Sequence, residues 1–192
     1  MKQAPPIAAF LDASVLYPAL LRNILMRLAS HGLYRARWSE RVHEEWIEAL
    51  LRNRPDLDRA RVERTRDLMD AHILDARVSG YERRIESLSL PDPDDRHILA
   101  AAIHCKAAVI VTTNLRDFPG SILAAFGLEA MHPDTFVLSV VLRDKEGAVV
   151  ALQRLRQAFR NPSMTAAEFL AGMERNGLAA SADALSAIVD AL

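Results

Sequence analysis

Apolar residues along this chain follow two alternating patterns: short continuous runs, and longer stretches in which they recur every three or four positions. The first pattern predicts buried strands and the second amphipathic helices. Residues 7–12, IAAFLD, form a short apolar run ending in an acid and read as a strand. Residues 17–32 follow as a helix. Pro18 suits a first turn, Leu21, Ile24, Leu25 and Leu28 make one stripe, and Gly32 suits a stop. A short strand is expected over residues 33–38. Ser39 is then placed to cap a helix over 40–54, with Val42, Trp46, Ile47 and Leu50 on one face. Pro55 separates that helix from another over 57–73, and residues 79–88 read as a short helix or turn.

The pattern then tightens. Pro91 and Pro93 hold the chain extended, and Asp94 or Asp95 begins a helix over residues 95–107 whose Ile98, Leu99, Ala102 and Ile103 face inward. AVIVTT, residues 108–113, is the clearest strand in the chain. A loop over 114–120, a short helix over 121–127 and a last strand over 128–131 complete this part. From Asp134 onward the pattern is helical only, with Thr165 and Glu168 spaced as a capping box and Gly177 as a stop. Alternating strands and helices imply a largely parallel sheet with helical crossovers. We expect residues 1–140 to form this α/β unit and residues 141–192 a C-terminal helical extension. Phe136, Val137, Val140, Val141, Val149, Val150, Leu152, Leu155 and Phe159 supply apolar surface there, as do Phe169, Leu170, Met173, Leu185, Ile188 and Val189. Helices this short are marginal alone, so these faces must bury against the core, a second copy or a partner.

Composition narrows the function classes. The net charge is −1, so the whole molecule is not an obvious polyanion binder. Its basic side is almost all arginine, however, and Arg52, Arg54, Arg59 and Arg61 fall in one stretch of the first half. Arginine suits forked contacts to phosphate. The single cysteine, Cys105, excludes an internal disulfide or a cysteine metal site and fits a reducing compartment. The prolines and Asp12 near the N-terminus break any signal-peptide core, and no apolar run approaches the ~20 residues of a membrane span. A cytoplasmic location is the expectation.

Candidate chemistry comes from the acids. In parallel α/β sheets ligands bind beyond the carboxyl ends of the strands. That edge collects Asp12 at the end of the first strand, Asn114 and Asp117 just past AVIVTT, and Asp95 at the start of the helix feeding that strand. Each has a plainer alternative. Asp95 and Asp12 suit helix caps, Asp117 a turn, and Glu45 a solvated helix position. Competing chemistries lack their residues. There is no glycine-rich phosphate loop and no G-x-S-x-G elbow. His31, His43, His72, His97, His104 and His132 lack zinc-helix spacing, and Ser14 stands where a phosphatase of the haloacid dehalogenase type needs a second aspartate.

FLDASVL, WSERVHEEW, DPDDRHILAAAI and VTTNLRDFP occur in the order and spacing of a PIN domain. The chain resembles PIN-domain ribonucleases over roughly residues 7–140, and most closely the VapC-like toxins of bacterial toxin–antitoxin pairs. The resemblance implies a PIN-like, Rossmann-like α/β/α sandwich with C-terminal helices added. It implies Mg2+ or Mn2+ held by a few acids, cleavage of single-stranded or looped RNA such as tRNA or rRNA, a cognate antitoxin protein and a possible homodimer. Carried over by position, the acids are Asp12, Glu45, Asp95 and Asp117. Glu44 competes with Glu45, and Asp94 with Asp95, while Asp92 reads as loop. Ser14, Thr113 and Asn114 take supporting places, and Arg116 joins the four arginines as a phosphate contact. A housekeeping RNA-processing nuclease and a non-catalytic interaction module of the same fold remain open alternatives.

Overall fold

The computed structural model describes residues 6–160 and 162–187. Its centre is a parallel sheet of five strands: β1 (Ala8–Leu11), β2 (Arg35–Ser39), β3 (Arg77–Val78), β4 (Val109–Val111) and β5 (Glu129–Met131), in the order β3-β2-β1-β4-β5. All four residues of β1 are buried, as a central strand covered on both faces requires. Ala9 pairs with Ala36 on one side and with Val109 on the other. The chain runs outward from β1 to β2 and β3, then returns to the other side for β4 and β5. This reversal opens a crevice beyond the carboxyl ends of β1 and β4, where ligands bind in open parallel sheets.

The crossovers are α1 (Ala13–Leu16), α2 (Ala19–Ser30), α3 (Glu40–Asn53), α4 (Arg59–His72), α5 (Arg96–His104) and α6 (Gly120–Leu123). Ser39 caps α3 as expected, accepting from the Val42 N–H, and Asp58 caps α4. Two short elements escape the apolar pattern. One is the single turn α1 between Asp12 and α2, and the other is the two-residue edge strand β3. Neither is long enough to show a period.

The helical tail comprises α7 (Pro133–Arg143), α8 (Lys145–Ala158), α9 (Ala166–Arg175) and α10 (Ala179–Ser186). Its apolar faces bury inside this chain. Phe136, Val137, Val140, Val141, Leu152, Leu155, Phe169, Met173 and Leu185 belong to the same core as Phe10 and Trp38. Val149, Phe159 and Leu170 are partly buried, Val150 is exposed, and Ile188 and Val189 lie outside the described residues. α8 packs on α2, and α10 packs on α7 and α9. Phe136 meets the Tyr34 ring edge-on at 4.9 Å between centroids. At roughly 1.5–3 kcal/mol for each fully buried large apolar side chain, this packing outweighs the weak propensity of short helices. Both halves of the expected capping box form, with Thr165 and Glu168 bonding each other's backbone N–H. No helix among the described residues is long and apolar enough to cross a membrane.

Candidate metal centre

β1 ends at Leu11, and the next residue, Asp12, occupies the first position of the β1–α1 turn. Its carboxylate does not cap the helix. Instead Oδ2 accepts hydrogen bonds from Ser14 Oγ at 2.6 Å and from Thr112 Oγ1 at 2.7 Å. Thr112 follows β4, so two hydroxyls from neighbouring loops hold the buried Asp12 at the switch point. The hydroxyl bonded to Asp12 is thus that of Thr112. The adjacent Thr113 is exposed and joins through its backbone N–H, which donates to Ser14 Oγ at 3.2 Å.

The three aspartates of the 90–95 loop separate in role. Asp92 is the local cap: its Oδ1 accepts from the Asp94 N–H at 2.8 Å and closes a short 3-10 turn over Pro93–Asp95. Asp94 points into solvent. Asp95 precedes α5 yet makes no capping bond with its side chain, so the plain reading of it as a cap does not hold. It is half-buried and approaches Asp117, from the turn after β4, and Asp92. These three each offer one carboxylate oxygen, and the oxygens lie within 4.8 Å of one another. Asn114 donates its side-chain N–H to Asp117 Oδ2, and its backbone N–H donates to Thr112 Oγ1 at 3.0 Å.

Glu45 projects from α3 half-buried, whereas Glu44 is exposed. Glu45 Oε1 accepts from Arg41 Nε at 3.2 Å and faces His97 Nε2 of α5 at 2.9 Å. Arg41 also reaches towards the Asp94 carbonyl, so α3 and the aspartate loop are tied together. Asp12 and Glu45 stand outside the tight trio. Their charges are still felt there. Burial, then Asp12, Asp92, Asp117 and Glu45 in turn, push the Asp95 carboxyl from its ordinary 3.8 up to about 7.

A group of carboxylates that raises its own member's pKa this far favours anything positive among them. The donors are all oxygen, as a hard divalent ion such as Mg2+ or Mn2+ takes. The residues therefore fit such an ion on their own chemistry. A proton on Asp95 offsets the same repulsion only in part. Beside the acids a groove of about 470 Å3 opens, with Ser14 and Glu45 on its rim and Tyr17 and Asn53 further along. That volume lies within the range of small-ligand sites.

The sequence places Asp12, Asp95, Asn114 and Asp117 on one edge and the resemblance adds Glu45; the structure brings Asp95 and Asp117 into contact range, with Asp12 and Glu45 in the same electrostatic neighbourhood. Asp92, which the sequence reads as loop, joins the trio, and His97, which it weighs only as a zinc ligand, meets Glu45. The arginines present a divided picture. Arg54 pairs with Asp56 at 2.6 Å and Arg59 with Glu48 at 2.7 Å, while Arg52, Arg61 and Arg116 are exposed.

A model of the PIN domain matches residues 8–116, more than half of the chain, and a model of the VapC50 C-terminal domain matches residues 133–187. A relative from Mycobacterium tuberculosis, named "Putative ribonuclease VapC50", is 39% identical over 71 residues, which are 37% of this chain and 42% of the relative. The alignment thus spans less than half of that relative's length. No solved structure matches. The PIN match covers the whole run from β1 to the turn that carries Asp117's neighbour Arg116, the segment that builds the crevice, and the chain belongs to the PIN-domain family.

Proposed function

We propose that this protein is a Mg2+- or Mn2+-dependent endoribonuclease that cleaves single-stranded or looped RNA, and that it acts as the toxin of a toxin–antitoxin pair. The observation that carries the proposal is the convergence of Asp92, Asp95 and Asp117 at the switch point, with Asp95 pushed up to about 7 by its neighbours. Carboxylates that only cap helices do not leave one of their number without a hydrogen bond among four other acids. The name of the mycobacterial relative, and the match of residues 133–187 to the VapC50 C-terminal domain model, favour the toxin role over a housekeeping nuclease.

Asp95, Asp117, Asp12 and Glu45 would hold the ion, with Asp92 contributing at the solvent side. When bound, a divalent ion supplies charge to a phosphodiester oxygen and makes water a better nucleophile near neutral pH. The chain's own groups do the rest. Ser14 and Thr112 fix the Asp12 oxygen that faces them and leave the other free. Asn114 holds the Asp117 carboxylate by one oxygen in the same way. The groove past Ser14 and Glu45 gives a nucleotide next to the scissile phosphate a place to lie, with Tyr17 as a stacking surface. Exposed Arg52, Arg61 and Arg116 supply phosphate contacts; Arg54 and Arg59 join them by exchanging exposed partners that hold them weakly.

The test is cleavage of total RNA by the purified protein with Mg2+ or Mn2+, followed by mapping of the new ends. Asp12→Asn, Glu45→Gln, Asp95→Asn and Asp117→Asn are each expected to lose about 10²–10³-fold in rate, the scale of removing one preorganised electrostatic group, with circular dichroism unchanged. Cleavage at the wild-type rate by all four variants would refute the reading.

A further inference from the structure

The fold buries two histidines completely, and they are used differently. His43 of α3 commits both ring nitrogens to the core. Nδ1 accepts from Trp46 Nε1 at 2.9 Å, and Nε2 donates to Asp70 Oδ1 at 3.1 Å, the oxygen that also accepts from Trp38 Nε1 at 2.8 Å. That ring joins α3 to α4 and its role is complete. His97 of α5 is 1% exposed and makes a single polar contact, from Nε2 to Glu45 Oε1 at 2.9 Å. Its Nδ1 is enclosed with no hydrogen-bond partner. An apolar side chain at this position would fill the same inward stripe as Ile98 and Leu99 without an unsatisfied nitrogen, which is costly to bury. The Glu45 contact is what the imidazole provides in return.

We propose that His97 is a positioning residue for the acid site: its Nε2–H, together with Arg41 Nε, fixes Glu45 through Oε1 and leaves Oε2 as the oxygen that acts. This rests on the reading of the acids as a divalent-ion site. The proton must sit on Nε2, because an unprotonated Nε2 would set its lone pair against a carboxylate oxygen at 2.9 Å. Oε1 then accepts from Arg41 Nε at 3.2 Å and meets His97 Nε2 at 2.9 Å, and Oε2 has no such partner among the described residues. The glutamate is anchored from the core side by α5, two residues beyond Asp95 on the same helix start. One short segment of chain thereby sets both an acid of the trio and the orientation of an acid from another helix. Groups that orient a ligating side chain through a hydrogen bond typically carry 10–100-fold in metal affinity.

The inference is tested on the whole protein with Mn2+ alone, by calorimetric titration, alongside thermal melting and nitrogen-15 NMR of histidine-labelled protein without metal. His97→Leu is expected to weaken Mn2+ binding about tenfold or more, and His97→Gln, which keeps an N–H near the Nε2 position, to restore most of it. In the Glu45→Gln background the His97→Leu change should add almost nothing, since the two act as one unit. The NMR spectrum should show His97 protonated at Nε2. A purely structural ring would lower the melting temperature in both His97 variants and leave Mn2+ affinity as in the wild type, and that result overturns the proposal, as does an unprotonated Nε2. Should His97→Leu fail to fold, the glutamine variant and the NMR measurement decide. If the wild type and Asp95→Asn bind Mn2+ equally poorly, the metal reading itself falls and the proposal falls with it. Binding lost in Asp95→Asn but kept in His97→Leu overturns only the role of His97.

Discussion

Asp134, at the start of α7, accepts hydrogen bonds from the Ala180 and Ser181 backbone N–H groups at 2.8 Å each and from Ser181 Oγ at 2.6 Å. Asp95, at the start of α5, accepts none among the described residues and faces Asp12, Asp92, Asp117 and Glu45. Both are half-exposed aspartates at helix starts in a buried neighbourhood. Asp134 caps not its own helix but α10, whose own N-cap residue is Leu178 and offers no side-chain acceptor. The helical tail thus uses a carboxylate to hold elements together, and the carboxyl edge of the sheet gathers several that repel one another. Local sequence does not separate these uses; what each carboxylate meets across the fold does.

The contrast breaks most sharply on opposite stability effects. Asp134→Ala should destabilise the protein by about 1–3 kcal/mol, because it removes a cap and leaves the Ser181 hydroxyl without its carboxylate partner. For a chain of this size that is a fall of roughly 2–12 °C in melting temperature. Asp95→Asn removes a charge from a repulsive cluster and should raise the melting temperature of metal-free protein at pH 8, even as it slows cleavage about 10²–10³-fold. Thermal melts of both variants in chelator, beside the wild type, check the pair. A fall with Asp95→Asn as large as with Asp134→Ala would erase the distinction between the two regions.

A smaller effect follows from the proton on Asp95. Its folded pKa of about 7 lies above the ordinary 3.8. Between those values the folded state holds a proton that the unfolded chain has released, so stability falls as pH rises through this window. The contribution is fully present below about pH 4 and gone above about pH 7. Saturating Mg2+ should remove the dependence at its upper end, because the ion takes the proton's place, and Mg2+ affinity should rise as pH passes 7. Melting curves at a series of pH values, with chelator and with Mg2+, give both. Asp95→Asn should flatten the metal-free profile, and an unaltered slope in that variant would assign the pH dependence to another group.

The pattern of apolar residues made the fold legible because each central strand is a short run and each long helix carries a stripe. β1 and β4 announce themselves as short apolar runs and α2, α3 and α5 as stripes, whereas β2 and β5, with Arg35, Arg37 and Glu129 among their few residues, carry a weaker signal. The carboxyl-edge rule finds Asp12, the residue straight after β1, Asp117 in the turn that follows β4, and Asp95 at the start of α5. In the 90–95 loop the sequence selects Asp95 but reads Asp92 only as loop, because the place of Asp92 depends on a turn closed by one side-chain bond. The sequence puts the supporting hydroxyl at Thr113, whereas Thr112 is the one that bonds Asp12. Successive residues leaving a strand point to opposite sides, so a shift of one residue in where β4 ends exchanges their roles. His97 was readable only as an oddity, a polar ring in the inward stripe of α5. What it meets is on α3, more than fifty positions away, and no local period reports that.

The smallest expected effect concerns the surface that carries the comparison to RNA. The net charge is −1, so any attraction for a polyanion must come from local basic surface, set against acids that repel it. If Arg52, Arg54, Arg59 and Arg61 bind phosphates, affinity for single-stranded RNA should fall steeply with salt, and replacing all four by glutamine should lower the slope by about 0.7 for each phosphate no longer neutralised. Arg54 and Arg59 begin paired with Asp56 and Glu48, so their contribution should be the weaker, and Arg52→Gln with Arg61→Gln should account for most of the change. Binding measured in Ca2+ across a salt series separates this from cleavage. Mn2+ affinity should stay at the wild-type value in the fourfold variant, because none of these arginines bonds an acid of the site. A salt slope unchanged by the four replacements would move the RNA track off α3 and α4 and leave Arg116, beside Asp117, as the basic group to examine next.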